Sequence, residues 1–273
     1  MNTTKKDKLV NPAEAVELIE DGNSITFSGV SVVRVPMVLI REIVKSGKKD
    51  LYLIDREPGL DFDLLVAAKL VRKVRFAMVG FELFGLAPNV RKAIERKEIE
   101  WLEDTCGAIT NAFRAGSFGI PFIPVKGIFG SDLLNIHEKE GTWKVIRDPF
   151  DGEKIIAVKS INPDVAVIHV QKADKLGNSS IEGSKFEDVY KAKSAKKVII
   201  TAEEIVETDY FKQYPERNTI PYFYVDAVVH APKGAYPTAC PNYYPPDYDE
   251  IRRYLSASKE GKIEEYIQKR VGR

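Results

Sequence analysis

The chain has 273 residues, enough to bury a substantial core, and its 41 Lys plus Arg against 40 Asp plus Glu leave a formal net charge of +1. That balance gives no electrostatic footprint for a nucleic-acid or anionic-membrane partner. The two cysteines, Cys106 and Cys240, lie far apart without metal-ligand or CxxC spacing, which fits a reduced, cytoplasmic setting.

The start, MNTTKKDKLVNPAEAV, is basic but has no apolar region behind it, so no secretory signal is expected. A helix is predicted from Pro12 toward Gly22, with Asn11 as its cap and Glu14 closing a capping box. SITF then reads as a strand, SGVSVVRV as a loop, and PMVLIREIVKS as a helix opened by Pro36 and stopped at Gly47. The stretch VSVVRVPMVLI is the most apolar in the chain, yet it is short and holds Arg34 and Pro36, so no membrane span is expected. The alternation continues through DLYLID, DLLVAAKL, KVRFAMVG, the helix APNVRKAIERK, and NAFRAGSFG before IPFIPVKG.

A second set of strands follows Gly152: KIIAVKSI, VAVIHV, KVIITAEEIV and YVDAVVHAP, with KFEDVYKAKSA helical among them. The last helix is amphipathic, with Ile263, Tyr266, Ile267 and Val271 on one face. This pattern predicts an α/β fold, a mainly parallel sheet flanked by helices. Without a clean linker or repeat, residues 1–273 read as a single domain, with EKEGTWKVIRDPFDGEK the one place for a break. Within PDVAVIHVQKADKLGN, the run VAVIHV fits a strand buried on both faces that stops at a polar turn. His169 reads there as a core residue, and Gly177-Asn178 as the turn.

Ligands of open α/β sheets bind outside the carboxyl ends of strands. The loops at such ends are SGVSVVRVP, GFELFGLAP, VKGIFGSD and QKADKLGN. The first holds only Gly29, so it is neither a dinucleotide fingerprint nor a Walker loop. Glu82, between glycines and apolar neighbours, is either a solvent-facing turn residue or a carboxylate that desolvation makes a nucleophile or acid. His137, His169 and His230 have no partner at helical metal spacing, so no zinc site is expected. Ser28, Ser117 and Ser131 lie outside any GxSxG elbow. Tyr243, Tyr244 and Tyr248 with Pro245 and Pro246 either pack or line a pocket.

Taken together, these blocks resemble the A (α) subunit of the family I CoA-transferases, most closely the glutaconate CoA-transferase type. DGNSITFSGVSVVRVP, Asp21 to Pro36, is similar to the family's glycine-loop signature. It departs at Ser28, Val30 and Arg34, where glycine, phenylalanine and glycine are usual. GFELFGLAPNVRKA, GIPFIPVKGIFGSD, PDVAVIHVQKADKLGN and VDAVVHAPKGAYPTACPNYYPPD resemble further blocks in the same order, covering about Asn11 to Tyr254.

The resemblance implies the CoA-transferase fold, shared with sugar-phosphate isomerases, and a ping-pong transfer of CoA from an acyl-CoA to a carboxylic or dicarboxylic acid. It implies no permanently bound cofactor and no metal; CoA and acyl-CoA are substrates. The nucleophilic glutamate of such enzymes resides on a B (β) subunit, which is therefore the expected partner. This chain would line the site with Ser28, Gly29 and Val30, Phe81 and Glu82, and Gly130 and Ser131. Glu82 is the one candidate for a catalytic role, and a backbone donor in the Gly29 loop would stabilise the oxyanion by roughly 3 kcal/mol. Two other readings stay open: a subunit of an acyl-CoA ring-cleaving hydrolase, with Glu103 or Asp104 as acid or base near Cys106-Gly107, and a non-catalytic ligand-binding protein on the same fold.

Overall fold

The computed structural model describes residues 7–272; the basic start at positions 1–6, on which the signal-peptide reading rests, lies outside the described residues. After β1 (Leu9–Val10) the predicted capping box forms: the Asn11 side chain accepts the Glu14 N–H and the Glu14 carboxylate accepts the Asn11 N–H. The helix it opens, α1 (Pro12–Val16), is shorter than its sequence suggests. The chain turns there, with the Ile19 N–H donating to Val16 O, and Ile19 becomes fully buried.

Three strand–helix units follow in close agreement with the periodicity: β2 (Ser24–Phe27) and α2 (Met37–Ser46), β3 (Leu51–Ile54) and α3 (Leu60–Ala67), β4 (Val71–Phe76) and α4 (Pro88–Glu95). Gly47 ends α2 at φ 72°, a left-handed cap that suits glycine. A fourth unit pairs β5 (Glu100–Glu103) with α5 (Cys106–Ser117). Then come β6 (Phe122–Val125), α6 (Asp132–Lys139), β7 (Trp143–Arg147) and β8 (Lys154–Lys159). The remainder is β9 (Val165–Asp174), β10 (Ser179–Ser180), α7 (Asp188–Ser194), β11 (Lys197–Val206), α8 (Thr208–Gln213), β12 (Ala227–His230), α9 (Tyr248–Lys259) and α10 (Ile263–Val271).

The main sheet runs β1-β12-β11-β9-β2-β3-β4-β5 with every neighbouring pair parallel, and β10 pairs antiparallel with β9. From the β2/β9 junction β3, β4 and β5 are added outward on one side and β11 and β12 on the other, with β1 closing that second edge, which makes the junction the topological switch point. KIIAVKSI departs from expectation: β8 leaves the main sheet and pairs antiparallel with β6 and β7 in a separate three-stranded sheet. Lys154 and Lys159, at its two ends, are exposed although β8 is the middle strand of that small sheet, a placement that a strand buried on both faces of the parallel sheet does not tolerate.

β9 is buried on both faces, as VAVIHV predicts. Val165 and Val167 join Phe27, Ile199 and the helices α2, α3, α4 and α9 in one core, while Ala166, Ile168 and Val170 join Ile200 and Val228 in another. Each such Val or Ile side chain contributes about 1.5–3 kcal/mol by leaving water. The strand runs on to Asp174 instead of stopping at Val170, because β11 stays in register with it as far as Val206↔Asp174. A third core joins Ile54 and α5 to Ile128, Trp143, Ile156 and Val158 beneath the small sheet.

Candidate active site

At the switch point the loop after β2 lies across β9. The Ser28 N–H donates to Val167 O, the Ser28 hydroxyl accepts the His169 N–H at 2.8 Å, and Arg34 Nη1 donates to His169 O at 3.1 Å. Gly29 adopts φ 85°, and a Cβ there would sit 1.9 Å from Val33 O, so only glycine fits. The loop amides are consumed internally: Gly29 N–H donates to Asp188 Oδ1, Val30 N–H to Val33 O, and Ser31 N–H to Glu57 O. The backbone oxyanion donor expected from Ser28, Gly29 and Val30 is therefore not free. These amides fix the shape of the wall instead.

Two further loops join this one. The Ser31 hydroxyl donates to Gly80 O at 2.7 Å, the Gly80 N–H donates to Pro58 O, and Gly59 packs where a Cβ would meet both Ser31 O and Gly80 O. The loops after β2, β3 and β4 thus form one unit, joined through Ser31, Gly59 and Gly80, of which Ser31 is the chain neighbour of Val30 and Gly80 that of Phe81. Phe81 is fully buried. Glu82 opens a 3-10 turn (Glu82–Phe84) at φ 52° with its side chain exposed, and no partner holds its carboxylate among the described residues. It does not sit in the apolar pocket that one reading of GFELFG requires.

Gly130 and Ser131 lie elsewhere in the topology. The strand before them, β6, belongs to the small sheet, so the carboxyl-end rule of the parallel sheet does not govern their loop. Ile128 ties that loop to Ile54 and α5 within the third core, and both Gly130 and Ser131 are exposed. No hydrogen bond joins them to the loops after β2, β3 and β4 among the described residues.

The alternative acid–base pair is also located. Asp104 is buried, accepts from Arg75 Nε and Nη2 at 2.8 and 2.6 Å, and receives the Thr105 N–H on its other oxygen. Glu103 points to solvent while its carbonyl accepts His137 Nε2 at 2.7 Å. Asp104 is thus committed to Arg75, and the first helical residue of α5 is Cys106.

The residues that organise this edge come from segments that the sequence marks as a strand end and a helix but not as part of a site. Asp55, Arg56 and Glu57 directly follow β3, and Glu187, Asp188 and Lys191 open α7. Asp188 holds Gly29 and pairs with Arg34, while Lys191 Nζ contacts Phe27 O and both oxygens of Asp55 at 2.7 and 2.9 Å. Burial works against the Lys191 charge, yet Asp55 and Asp188 push its pKa up, so the ammonium stays protonated. Glu187 binds Arg56 Nε at 2.7 Å and the Thr110 hydroxyl at 2.9 Å. Although burial opposes its charge, Lys191 and Arg56 hold that carboxyl below its usual range.

Glu57 Oε1 forms an ion pair with Arg56 Nη1 at 2.6 Å and accepts from the exposed Cys106 thiol at 3.3 Å. Partial burial pushes that thiol's pKa up, and Glu57 adds to the effect. The signal for these residues was present: DREPG sets a charged triplet at the end of a strand, and Asp188 and Lys191 share a helix face at i, i+3.

His169 is held apart from this chemistry. Its ring binds the Thr201 hydroxyl at 2.8 Å and Glu203 Oε1 at 2.9 Å, Tyr244 also donates to that carboxylate oxygen, and burial lowers the imidazole pKa. Ligand atoms of His169, Glu203 and Cys240 lie within 4.8 Å of one another, a grouping that helical spacing does not reveal. The His169 and Glu203 atoms are hydrogen-bonded to each other. A groove of about 500 Å³ beside Arg72, Ile94 and Trp101 opens at the amino ends of β4 and β5, the opposite edge of the sheet.

Comparison with known proteins agrees with this architecture. The profile of the coenzyme A transferase family matches residues 9–231. An uncharacterized protein of Archaeoglobus fulgidus is 39% identical over 97% of this chain and 59% of its own length, so the chain spans less than two thirds of that relative. The A (α) chain of 3-oxoadipate CoA-transferase from Pseudomonas knackmussii is 35% identical over 88% of this chain and 84% of its own. The crystal structure of glutaconate coenzyme A-transferase from Acidaminococcus fermentans superposes with a TM-score of 0.91 at 30% identity, covering 96% of this chain and 87% of that one.

Proposed function

Because the chain belongs to the coenzyme A transferase family, we propose that it is the A (α) subunit of a heteromeric enzyme that moves CoA from an acyl-CoA to a carboxylic acid. The observation that carries this reading is the likeness to the α chain of a CoA-transferase over more than four fifths of both chains. In the proposed cycle a glutamate carboxylate on the B (β) partner attacks the thioester carbonyl, and CoA leaves as thiolate. The thiolate then attacks the glutamyl carbonyl of the resulting anhydride, releasing the first acid and leaving a glutamyl-CoA thioester. A second carboxylate reverses both steps.

This chain supplies a rigid wall to that chemistry. Ser28, Gly29 and Val30 are locked by Asp188 and β9, so they hold a surface against which the acyl group is aligned. Met78, Leu83 and Leu86 are exposed on the loop after β4 and suit burial under the β partner.

The test is intact-mass spectrometry of the complex purified with its B-type partner and incubated with an acyl-CoA. A CoA-sized adduct on the partner, discharged by added acid, is the expected result. Free CoA with no adduct on either chain would overturn the transferase mechanism in favour of hydrolysis, and binding without turnover would favour a ligand-binding protein.

A further inference from the structure

Among the carboxylates at the carboxyl edge, Glu57 is held as a catalytic group is held. Its main chain is pinned on both sides, by Ser31 N–H on Glu57 O and by Gly80 N–H on Pro58 O. Its Oε1 is occupied by Arg56 Nη1 and the Cys106 thiol, and Arg56 is fixed in turn by Glu187 and, through it, by Thr110 of α5. Its Oε2 has no protein partner among the described residues, and the side chain is 21% exposed. One oxygen is thus held by its neighbours while the second stays open on a partly exposed side chain just after β3. Glu82, by contrast, has no group that orients it.

We propose that Glu57 is a general base contributed by this chain, directing water at the acyl carbon of a bound acyl-CoA, so that the assembled enzyme also hydrolyses thioesters. The inference rests on the reading that acyl-CoA is the substrate. A water hydrogen-bonded to Glu57 Oε2 attacks the acyl carbon as its proton passes to that oxygen. The carbon–sulfur bond breaks, CoA leaves with the electron pair and takes the proton from Glu57. The products are the free acid and CoA. Arg56 and Cys106 act as positioning residues, the first pairing with Oε1 and the second donating to it, so that Oε2 is the oxygen left to take the proton.

The experiment uses the complex with its B-type partner, 3-oxoadipyl-CoA and glutaconyl-CoA as probes, and acetate as acceptor. Release of CoA without acceptor and formation of acetyl-CoA are measured in parallel. The wild-type complex is expected to release CoA, and Glu57→Gln to lower the ratio of release to transfer by about 10-fold or more. Glu57→Asp keeps the charge but withdraws the carboxylate by one methylene, and it is expected to lower the same ratio. Transfer without any release by the wild type, or an unchanged ratio in both variants, would overturn the proposal. Glu57-dependent release without transfer would sustain it and overturn the transferase reading, while absence of both would overturn both.

Discussion

Arg34 and Asp188 form an ion pair with 2.5 Å between Nη2 and Oδ2, and neither side chain is exposed to solvent. Asp188 also accepts the Gly29 N–H, so one carboxylate binds both ends of the loop after β2. Removing one partner of a buried pair leaves an uncompensated charge and costs about 3–5 kcal/mol. Urea unfolding is expected to show Asp188→Ala destabilised by that amount. The double variant Arg34→Gly with Asp188→Asn is expected to lose less than the sum of its single changes. Glycine suits the φ of 55° at position 34, and the asparagine oxygen still accepts from Gly29.

Gly29→Ala tests the wall directly. Its methyl group would press on Val33 O and the Arg34 carbonyl in a left-handed conformation. Stability is expected to fall by about 2 kcal/mol or more, and turnover of the complex to fall with it. Unchanged turnover would remove this loop from the site.

Asp61 makes stability depend on pH. Burial pushes its carboxyl up to about 7, nearby Asp55 adds to the effect, and its Oδ1 accepts the Gly59 N–H at 2.7 Å. The folded value lies above the ordinary carboxylate value of 3.8, so the unfolded chain releases this proton first. The associated stability is complete below about pH 4 and declines as pH rises through 7. Asp61→Asn keeps an oxygen for Gly59 and cannot ionise. Thermal melts from pH 5 to 8.5 are expected to show a smaller loss in the variant; parallel curves would contradict this.

The two thiols should separate cleanly by reactivity. Cys106 is exposed, whereas Cys240 is buried and its thiol pushed up to about 12. Iodoacetamide at pH 8 is expected to add one group per chain, mapped by peptide mass to Cys106. Glu57→Gln removes the neighbouring negative charge and is expected to speed that addition. Modification of Cys240 at a similar rate would show that its enclosure opens readily.

Much of the sheet was legible because burial on both faces leaves a plain trace. VAVIHV and KVIITAEEIV read as core strands, and Pro36 and Gly47 bracket α2 closely. KIIAVKSI misled because a short apolar run has the same composition in either sheet, and only its flanking lysines signal the difference. The glycine loop was found, but its chemistry was not. Asp188 lies 159 positions from Gly29, and no local periodicity encodes such a contact. Glu57 is hidden for a related reason: the surroundings of the charged triplet Asp55-Arg56-Glu57 depend on contacts with α5 and α7 that are remote in sequence.

The central pair of the sheet has a consequence for how the chain is born. Ile25 of β2 lies opposite Val165 of β9, and at the outer edge Leu9 pairs with Val228. At about 5–20 residues per second of synthesis, β2 waits roughly 7–28 s before its neighbour on that side exists. Until then one face of the Ser28–Gly29 turn has nothing to rest on, and every chain cut short before β9 lacks the crevice altogether. Such distant pairing is slow to close and leaves strand edges open to other chains, so nascent or truncated copies are the form of this protein most exposed to aggregation.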